Sequence, residues 1–454
     1  MSRATHPGLP LPSHKQHSRD VAIVVMPASD ELVLPLNQHS DAELIPCVQV
    51  GDTVYKGQVI AQPQVANDSS LISLSAWLHA PVSGQVIAIE PRDVPHQRVT
   101  VSVSIVIRND HLDTTDPTAT SCTDWSQLEA SALCQLITRG GIVGLGGAVF
   151  PTAAKLATCL PKTIEYLLIN GVECEPYITC DDRLMRERAI HIVHGTQILM
   201  HAAQAQRCLI AIEADKPEAF AAMQVALSTV SDARIELRSI ATAYPSGDEG
   251  QLITQLTARE IPRGGLPADV GVIVQNVATA YACARWIEHG EPLISRIVTV
   301  TGAGIKQPAN LEVSLGTHIH DVVATCGDYQ NENDASFDVL GDTLIMGGAM
   351  MGRALAHDLM PIVKATNCLI VTPRSALKPA MPEMPCIRCG ECSEACPVYL
   401  LPQQLLAFAR NNNRSALIEL GLADCIECGC CDYVCPSNIT LAQRFRAAKQ
   451  LADQ

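Results

Sequence analysis

Cys386-Ile-Arg-Cys389-Gly-Glu-Cys392-Ser-Glu-Ala-Cys396-Pro397 is followed by Cys425-Ile-Glu-Cys428-Gly-Cys-Cys431-Asp-Tyr-Val-Cys435-Pro436. Each run reads C-x2-C-x2-C-x3-C-P, the spacing that holds a [4Fe-4S] cluster. The spacing has a physical basis. Three thiolates must reach three corners of a cube from one tight loop, and Gly390 and Gly429 let that loop curl without a side chain in the way. The fourth cysteine has left the loop, and Pro397 and Pro436 redirect the chain just after it.

In two-cluster ferredoxins the fourth cysteine of each run reaches across to the other cluster. One cluster is therefore expected on Cys386, Cys389, Cys392 and Cys435, and the other on Cys425, Cys428, Cys431 and Cys396. Zinc knuckles or disulfides are the alternatives. Zinc sites use four ligands, commonly in two C-x2-C pairs, and do not need this doubled run. Cys430 fits no ligand position and reads as a neighbouring core thiol. Between the runs, Leu401 to Leu422 places apolar residues at helical spacing, which favours an α-helical ferredoxin over the compact β-rich kind.

The rest of the chain sets bounds on what this module serves. A length of 454 residues suggests about three domains. A hydrophobic fraction of 47% is ample for packed cores, and a net charge of −15 argues against a nucleic-acid partner. Nineteen cysteines without a signal peptide point to a reducing compartment. Those outside the runs, such as Cys47, Cys208 and Cys368, are expected to be small buried hydrophobes. No stretch approaches the ~18 apolar residues of a spanning helix, so any membrane association is expected through partner proteins.

The first twenty residues, rich in proline, read as an extended arm. From Glu43 to Glu90, alternation broken by Gly and Pro reads as short strands in two half-repeats, starting at Val48 and His79. They look like the halves of a biotinyl/lipoyl-type barrel, although the turn Pro63 to Ser75 holds no lysine for a swinging arm. After a polar linker, Asn109 to Thr123, the pattern becomes α/β. Helices are expected at Trp125–Thr138, Ala189–Ala205 and Ala278–Glu288, and strands at Tyr166–Ile169, Cys208–Ile212 and Val270–Val274. Strands alternating with helices predict a parallel sheet. Ser295–Thr301 reads as a further strand, and Thr317–Val323 as the start of a helix.

Two loops in the α/β region carry polar chemistry. Gly140-Gly-Ile-Val-Gly144-Leu-Gly146-Gly-Ala-Val149-Phe-Pro-Thr152-Ala-Ala-Lys155 is neither a P-loop nor a Rossmann fingerprint, since no Gly-Lys-Ser/Thr closes it and Val149 holds the third glycine position. Its backbone N–H groups and Lys155 are suited to an anion; a closely packed turn is the alternative. Asn170-Gly-Val-Glu173-Cys-Glu175 follows a strand, where ligands collect on open α/β sheets. Glu173 and Glu175 are placed to hydrogen-bond ribose or ribityl hydroxyls, whereas Asp181, Asp182 and Arg183 read as support for the next helix. Tyr244-Pro-Ser-Gly247-Asp248-Glu249 and Gln275-Asn276-Val-Ala-Thr279 add polar groups at loop and strand ends.

Taken together, these motifs resemble the C subunit of the Rnf/Rsx electron transport complex over nearly the whole chain. The marks are Gly8-Leu-Pro-Leu-Pro-Ser-His-Lys15, the glycine stretch from Gly144 to Leu156, the stretch Asn170 to Met185, the run Met346 to Gly352, and both cysteine runs. The middle region is similar to the NADH-oxidising flavoprotein subunit of respiratory complex I, and residues 296–330 resemble its SLBB, ubiquitin-like domain. The implied fold is multidomain α/β plus β. It divides into an arm with a lipoyl-like barrel-sandwich (1–115), an FMN/NADH-binding-like α/β domain (124–290), an SLBB domain with a connecting segment (291–378), and an α-helical two-cluster ferredoxin-type domain (379–454).

The resemblance also implies an FMN site. Gly144, Gly146 and Lys155 would hold its phosphate end, and Asn170, Glu173, Tyr244, Gly247, Glu249, Asn276 and Thr279 would line flavin and nicotinamide. The sequence departs from the complex I pattern at Val149 (Gly there), Val172 (a carboxylate), Asp248 (Glu) and Ala278 (Glu). The implied activity is that of a redox subunit of an ion-translocating oxidoreductase. It would exchange electrons between NADH/NAD+ and a ferredoxin-like subunit through two [4Fe-4S] clusters, peripheral on the cytoplasmic face of the inner membrane, held by the other subunits. A flavin-less docking scaffold that relays electrons, or a soluble NADH dehydrogenase module, are the alternatives. His318 and His320 read as surface or cap residues rather than metal ligands.

Overall fold

The computed structural model describes residues 8–38, 44–64, 75–95, 100–160, 162–330, 342–373, 375 and 381–452. Most of the turn Pro63 to Ser75, where the sequence offers no carrier lysine, lies outside the described residues.

A four-stranded, wholly parallel sheet forms the centre, in the order Ile235–Ile240, Arg207–Glu213, Tyr166–Gly171, Val272–Asn276. Its apolar runs are buried on both faces, as parallel strands require. Leu167, Ile169, Cys208 and Ile210 face the helices Cys180–Ala203, Pro217–Val230 and Val277–His289. Leu168, Leu209 and Val274 face the helix Glu249–Thr257. Gly195 allows the first and third of those helices to touch, because a Cβ there would lie 1.7 Å from the carbonyl oxygen of Ala280.

The first helix begins nine residues before its expected start at Ala189 and breaks its helical dihedrals at Arg188. Its early turns are polar, so apolar periodicity does not reveal them; they are braced by Arg186–Asp182 (2.6 Å) and Arg183–Glu187 (2.5 Å) pairs. Near Trp125 only a 3-10 turn forms, and the α-helix runs Ala130–Arg139. The last strand of the sheet starts at Val272, after Gly271 turns at φ 70°.

The barrel region forms two antiparallel sheets, one from Glu31–Pro35, Val101–Asn109, Gly84–Asp93 and Thr53–Val54, the other from Ile45–Pro46, Val59–Gln62 and Leu78–His79. A six-stranded sheet follows, in the order Ile23–Val25, Ala309–Ser314, Ser295–Thr301, Cys368–Pro373, Asp342–Met346, Arg353–Leu355. Its first strand comes from the N-terminal stretch and lies parallel to Ala309–Ser314. One core joins this sheet to the barrel, with Leu32, Leu34 and Ile105 against Val298, Leu311 and Leu344.

The cysteine module is helical, with no strand among its described residues. Pro402–Arg410, Arg414–Glu419 and Leu441–Ala452 enclose Leu405, Leu417, Ile439 and Phe445. Cys208 and Cys368 are buried as expected, but Cys47 is exposed, on a short turn beyond its strand. No described helix is long and apolar enough to cross a membrane.

Candidate functional site

The two cysteine loops have the same local shape. Arg388 and Glu427, at equivalent positions, both have φ 57°, and Gly390 (φ 90°) and Gly429 (φ 75°) enter a one-turn helix in each. Cys386, Cys389, Cys392 and Cys435 line one small cavity together with Gln403 and Leu406. Cys386 and Cys389 are exposed there, whereas Cys392 is buried and its Sγ lies 3.6 Å from Gln403 Oε1. In the second loop Cys425 and Cys428 act electrostatically on each other and on Cys396, and Cys431 feels both Cys425 and Cys428. Thus the first loop's three thiols share a cavity with Cys435, and Cys396 lies near Cys425 and Cys428 of the second loop. This grouping of thiols fits two iron–sulfur clusters.

The second loop is the inner one. The hydroxyl of Tyr244, itself 2% exposed, donates to the carbonyl oxygen of Cys428 at 2.7 Å. Tyr244, Ala395, Cys428 and Cys430 form one buried group, against which Met350 packs. Gln251 Nε2 donates to the carbonyl of Pro397 at 2.7 Å. Met350 and Met351 donate their backbone N–H groups to Glu175 at 3.0 and 2.9 Å. Burial pushes the Glu175 carboxyl up and those two N–H groups pull it back. Gly348 is required for this approach, since a Cβ there would meet the Glu175 carboxyl at 2.4 Å. The run Met346 to Gly352 is therefore a strut between the acidic loop and the inner cysteine loop.

The second feature is the switch point of the parallel sheet. Chain order reverses between Tyr166–Gly171 and Val272–Asn276, and crevices outside the carboxyl ends of such strands collect ligands. Asn170 and Asn276 are register partners at those ends. Asn276 accepts from the N–H of Ala278 (2.8 Å), capping the next helix, and donates to Asp181 (2.7 Å). Asn170 donates to the carbonyl of Gly247 at 2.9 Å.

The glycine loop closes on itself beside them, with Gly144 N–H on the Phe150 carbonyl (2.8 Å) and Val149 N–H on the Gly144 carbonyl (3.1 Å). Thr279 holds it from beneath, accepting from Leu145 N–H at 2.9 Å and donating to the Val143 carbonyl. A Cβ on Gly147 would meet nothing within 4 Å, and one on Gly146 only Asn276 at 3.5 Å, so the loop leaves an open cradle over Asn276. Val149 adopts a left-handed conformation (φ 53°), a costly one for a β-branched residue. Its side chain is buried in the core, away from that cradle. The open space fits a phosphate-bearing group. Lys155, one turn into the six-residue helix Thr152–Ala157, meets Glu249 Oε1 at 2.5 Å. Asp248 is the cap of the helix Glu249–Thr257, accepting from Gly250 and Gln251, so a carboxylate at 248 serves the backbone.

Glu173 differs from these. It sits at φ 52° with a buried carboxylate, one oxygen of which accepts from Asp181 N–H at 2.7 Å. The N-terminal arm covers it. Leu9 pairs with Tyr244, His14 stacks on Tyr177 with ring centroids 4.7 Å apart, and buried Lys15 donates to the Glu173 carbonyl (2.5 Å) and lies 3.6 Å from its carboxylate. Burial raises the Glu173 carboxyl, and the Lys15 ammonium opposes the rise.

The structure thus gathers Gly144, Gly146, Lys155, Asn170, Gly247, Glu249, Asn276 and Thr279 around the switch point. It sets Tyr244 against the inner cysteine loop and Glu173 beneath the arm. The contribution of Lys15 has no signal in periodicity or composition. His318 Nδ1 lies 2.7 Å from the Leu359 carbonyl, and His320 pairs with Asp358, so both are occupied by contacts of the fold.

Four sequence families match the chain. They are the RnfC barrel sandwich hybrid domain over residues 4–112, the Nuo51 FMN-binding domain over 137–285, the SLBB domain over 297–354 and the 4Fe-4S dicluster domain over 385–439. The expected fold class is borne out by these matches. Among curated relatives, the C subunit of an ion-translocating oxidoreductase complex of Pseudomonas aeruginosa is 44% identical over 442 residues, 97% of this chain and 55% of that protein. Its counterpart in Vibrio cholerae is 45% identical over 411 residues, 90% of this chain and 51% of its own length. That of Rhodobacter capsulatus is 40% identical over 437 residues, covering 96% and 81%. The chain spans about half the length of the first two relatives.

Proposed function

Because this chain belongs to the C-subunit family of ion-translocating oxidoreductase complexes, we propose that it is a redox subunit that passes electrons between the switch-point cleft and two [4Fe-4S] clusters. The observation that carries the reading is the contact of Tyr244, from the loop that leads into Gly247 and Glu249, with the carbonyl of Cys428 in the inner cysteine loop. It ties that loop to the inner cysteine loop by a direct hydrogen bond between buried residues.

In this reading Cys386, Cys389, Cys392 and Cys435 ligate the outer cluster, and Cys425, Cys428, Cys431 and Cys396 the inner one. The cleft takes FMN and NADH or NAD+. Bound FMN supplies the exchange between a two-electron hydride and single electrons. The open turn at Gly146 and Gly147, beside Gly144, would hold its phosphate, and Lys155, now paired with Glu249, would supply a positive charge to it. Asn170, Gly247, Asn276 and Thr279 shape the floor, while Glu173, neutralised by Lys15, and Tyr244 brace the wall toward the clusters. The outer loop, with its exposed thiols, faces a ferredoxin-like redox subunit. The other subunits of the complex hold the chain on the cytoplasmic face of the inner membrane and couple its electron transfer to ion movement.

A second reading, the flavin-less scaffold, draws on the Lys155–Glu249 pair, which already satisfies the lysine. Counting iron, sulfide and flavin in anaerobically purified protein separates the two. A flavin absorption band with stoichiometric FMN beside the broad iron–sulfur band supports the cleft; iron and sulfide without saturable FMN binding leaves the scaffold. Stoichiometric zinc without iron overturns both.

A further inference from the structure

Lys364 is fully buried in the segment that leads into the strand Cys368–Pro373, and no carboxylate among the described residues pairs with it. Its Nζ donates instead to two backbone carbonyls, of Trp77 at 2.7 Å and of Gly141 at 2.8 Å. Trp77 precedes the barrel strand Leu78–His79, and Gly141 stands at the entrance to the glycine loop. One side chain thus ties three parts of the chain together. The backbones are close there. Gly141 sits at φ 67°, and a Cβ on it would lie 2.4 Å from the Trp77 carbonyl oxygen, 3.1 Å from Lys364 Nζ and 3.3 Å from His79 Nδ1, so the junction needs glycine. Lys364 is fixed in turn, its backbone N–H donating to Gln38 Oε1 at 3.1 Å.

Gly141 is the foot of a stem. The carbonyl of Ile142 accepts from Thr152 N–H at 3.1 Å, Val143 pairs with Pro151, and Gly144 N–H reaches the Phe150 carbonyl at 2.8 Å. Beyond these rungs lie Gly146 and Gly147, the open turn of the loop. We propose that Lys364 is a positioning residue of the glycine loop, clamping the foot of its stem to the barrel so that the open turn is set for a phosphate-bearing ligand. This rests on the flavin reading of the cleft. A loop already held in its bound shape loses less conformational freedom when the ligand arrives. Burial pushes the Lys364 amine down to about 7. The neutral amine still carries two N–H donors, one for each carbonyl, so the clamp holds in both protonation states.

The test uses the full chain, reconstituted anaerobically with iron and sulfide and depleted of flavin, as wild type, Lys364→Met and Lys364→Gln. Methionine keeps the bulk and removes the donor, whereas glutamine keeps a donor on a shorter stem. Equal iron in all three is expected and marks the variants as folded; if Lys364→Met loses iron, Lys364→Gln carries both comparisons. Gly144, Leu145, Val149 and Thr152 have their N–H groups bonded within or beneath the loop. Their hydrogen exchange should be faster in Lys364→Met than in wild type, with Lys364→Gln between. FMN and riboflavin are then titrated into each protein. Lys364→Met should weaken FMN by up to about tenfold, on the order of one net hydrogen bond, and leave riboflavin, which lacks the phosphate, nearly unchanged. Equal loop exchange in wild type and Lys364→Met overturns the clamp. Equal weakening of FMN and riboflavin overturns the phosphate role, because it shows general loosening. If wild type binds no FMN, the flavin reading fails and the ligand half of the proposal with it, while the exchange data still decide the clamp.

Discussion

The two cysteine loops are a controlled comparison within one chain. Their spacing is the same, and so are their left-handed residues and one-turn helices. Their surroundings are not. The outer loop leaves Cys386 and Cys389 exposed, with Ile387 67% exposed between them. The inner loop lies under Tyr244 and Met350, and Lys449 of the last helix reaches the Cys425 carbonyl at 2.5 Å and Glu427 at 3.2 Å. The geometry of each three-cysteine loop is thus a local property, whereas the fourth cysteine of each set comes from the other run. Solvent access, hydrogen bonding and neighbouring charge, which set a cluster's potential, come from segments distant in sequence.

The largest effect should come from the crossing cysteines. Cys435→Ser should abolish the cluster held mainly by the earlier run, and Cys396→Ser the one held mainly by the later run, each halving the iron. Paired EPR spectra decide this. If Cys435→Ser removes the later run's signal instead, the crossed arrangement is wrong.

Next in size is the response to metal removal. A chelator applied to oxidised protein should release iron in two phases, the exposed outer site first. A single phase in which both EPR signals decay together would mean that burial by Tyr244 and Met350 gives no protection.

Lys155→Ala should weaken FMN by roughly ten- to a hundredfold, since a charge-assisted hydrogen bond is worth about 1.5–3 kcal/mol and about 1.4 kcal/mol is tenfold. Titrating FMN into flavin-depleted protein measures it. Both clusters should still be reduced normally by dithionite, so the variant separates the cleft from the two loops. Unchanged FMN affinity would make the glycine loop structural.

The smallest effect is expected from Tyr244→Phe. It leaves the buried Cys428 carbonyl without its donor, at about 1–2 kcal/mol, and urea unfolding should register the loss. The inner midpoint should shift while the outer one stays fixed. A shift confined to the outer cluster would break the comparison.

Much of the fold and of the cluster sites is legible in the order of residues. The cysteine spacing, the helical linker between the runs, the alternating strands and helices, and the family marks each depend on residues close in sequence, where steric and hydrogen-bonding rules act directly. Although the Asp181 carboxylate turns to Asn276 instead, even Asp182 and Arg183 are readable as helix support. The start of the helix at Cys180 is not, because ion pairs rather than an apolar stripe hold its first turns.

The remainder comes from long-range packing. It puts Ile23–Val25 into a sheet built mainly from residues beyond 294, and lays Lys15 over Glu173. It makes Asp248 a helix cap, turns Val149 inward, leaves Cys47 in solvent, and sets Tyr244 on the inner cysteine loop rather than in the open cleft. Each of these joins segments whose pairing is invisible to periodicity. A buried lysine reads like an exposed one until the carboxylate it neutralises is placed beside it. The three-cysteine loops and most elements are written in the sequence because they are local. Which cysteine loop becomes the inner one is settled by the tertiary fold, because burial is a property of the whole chain.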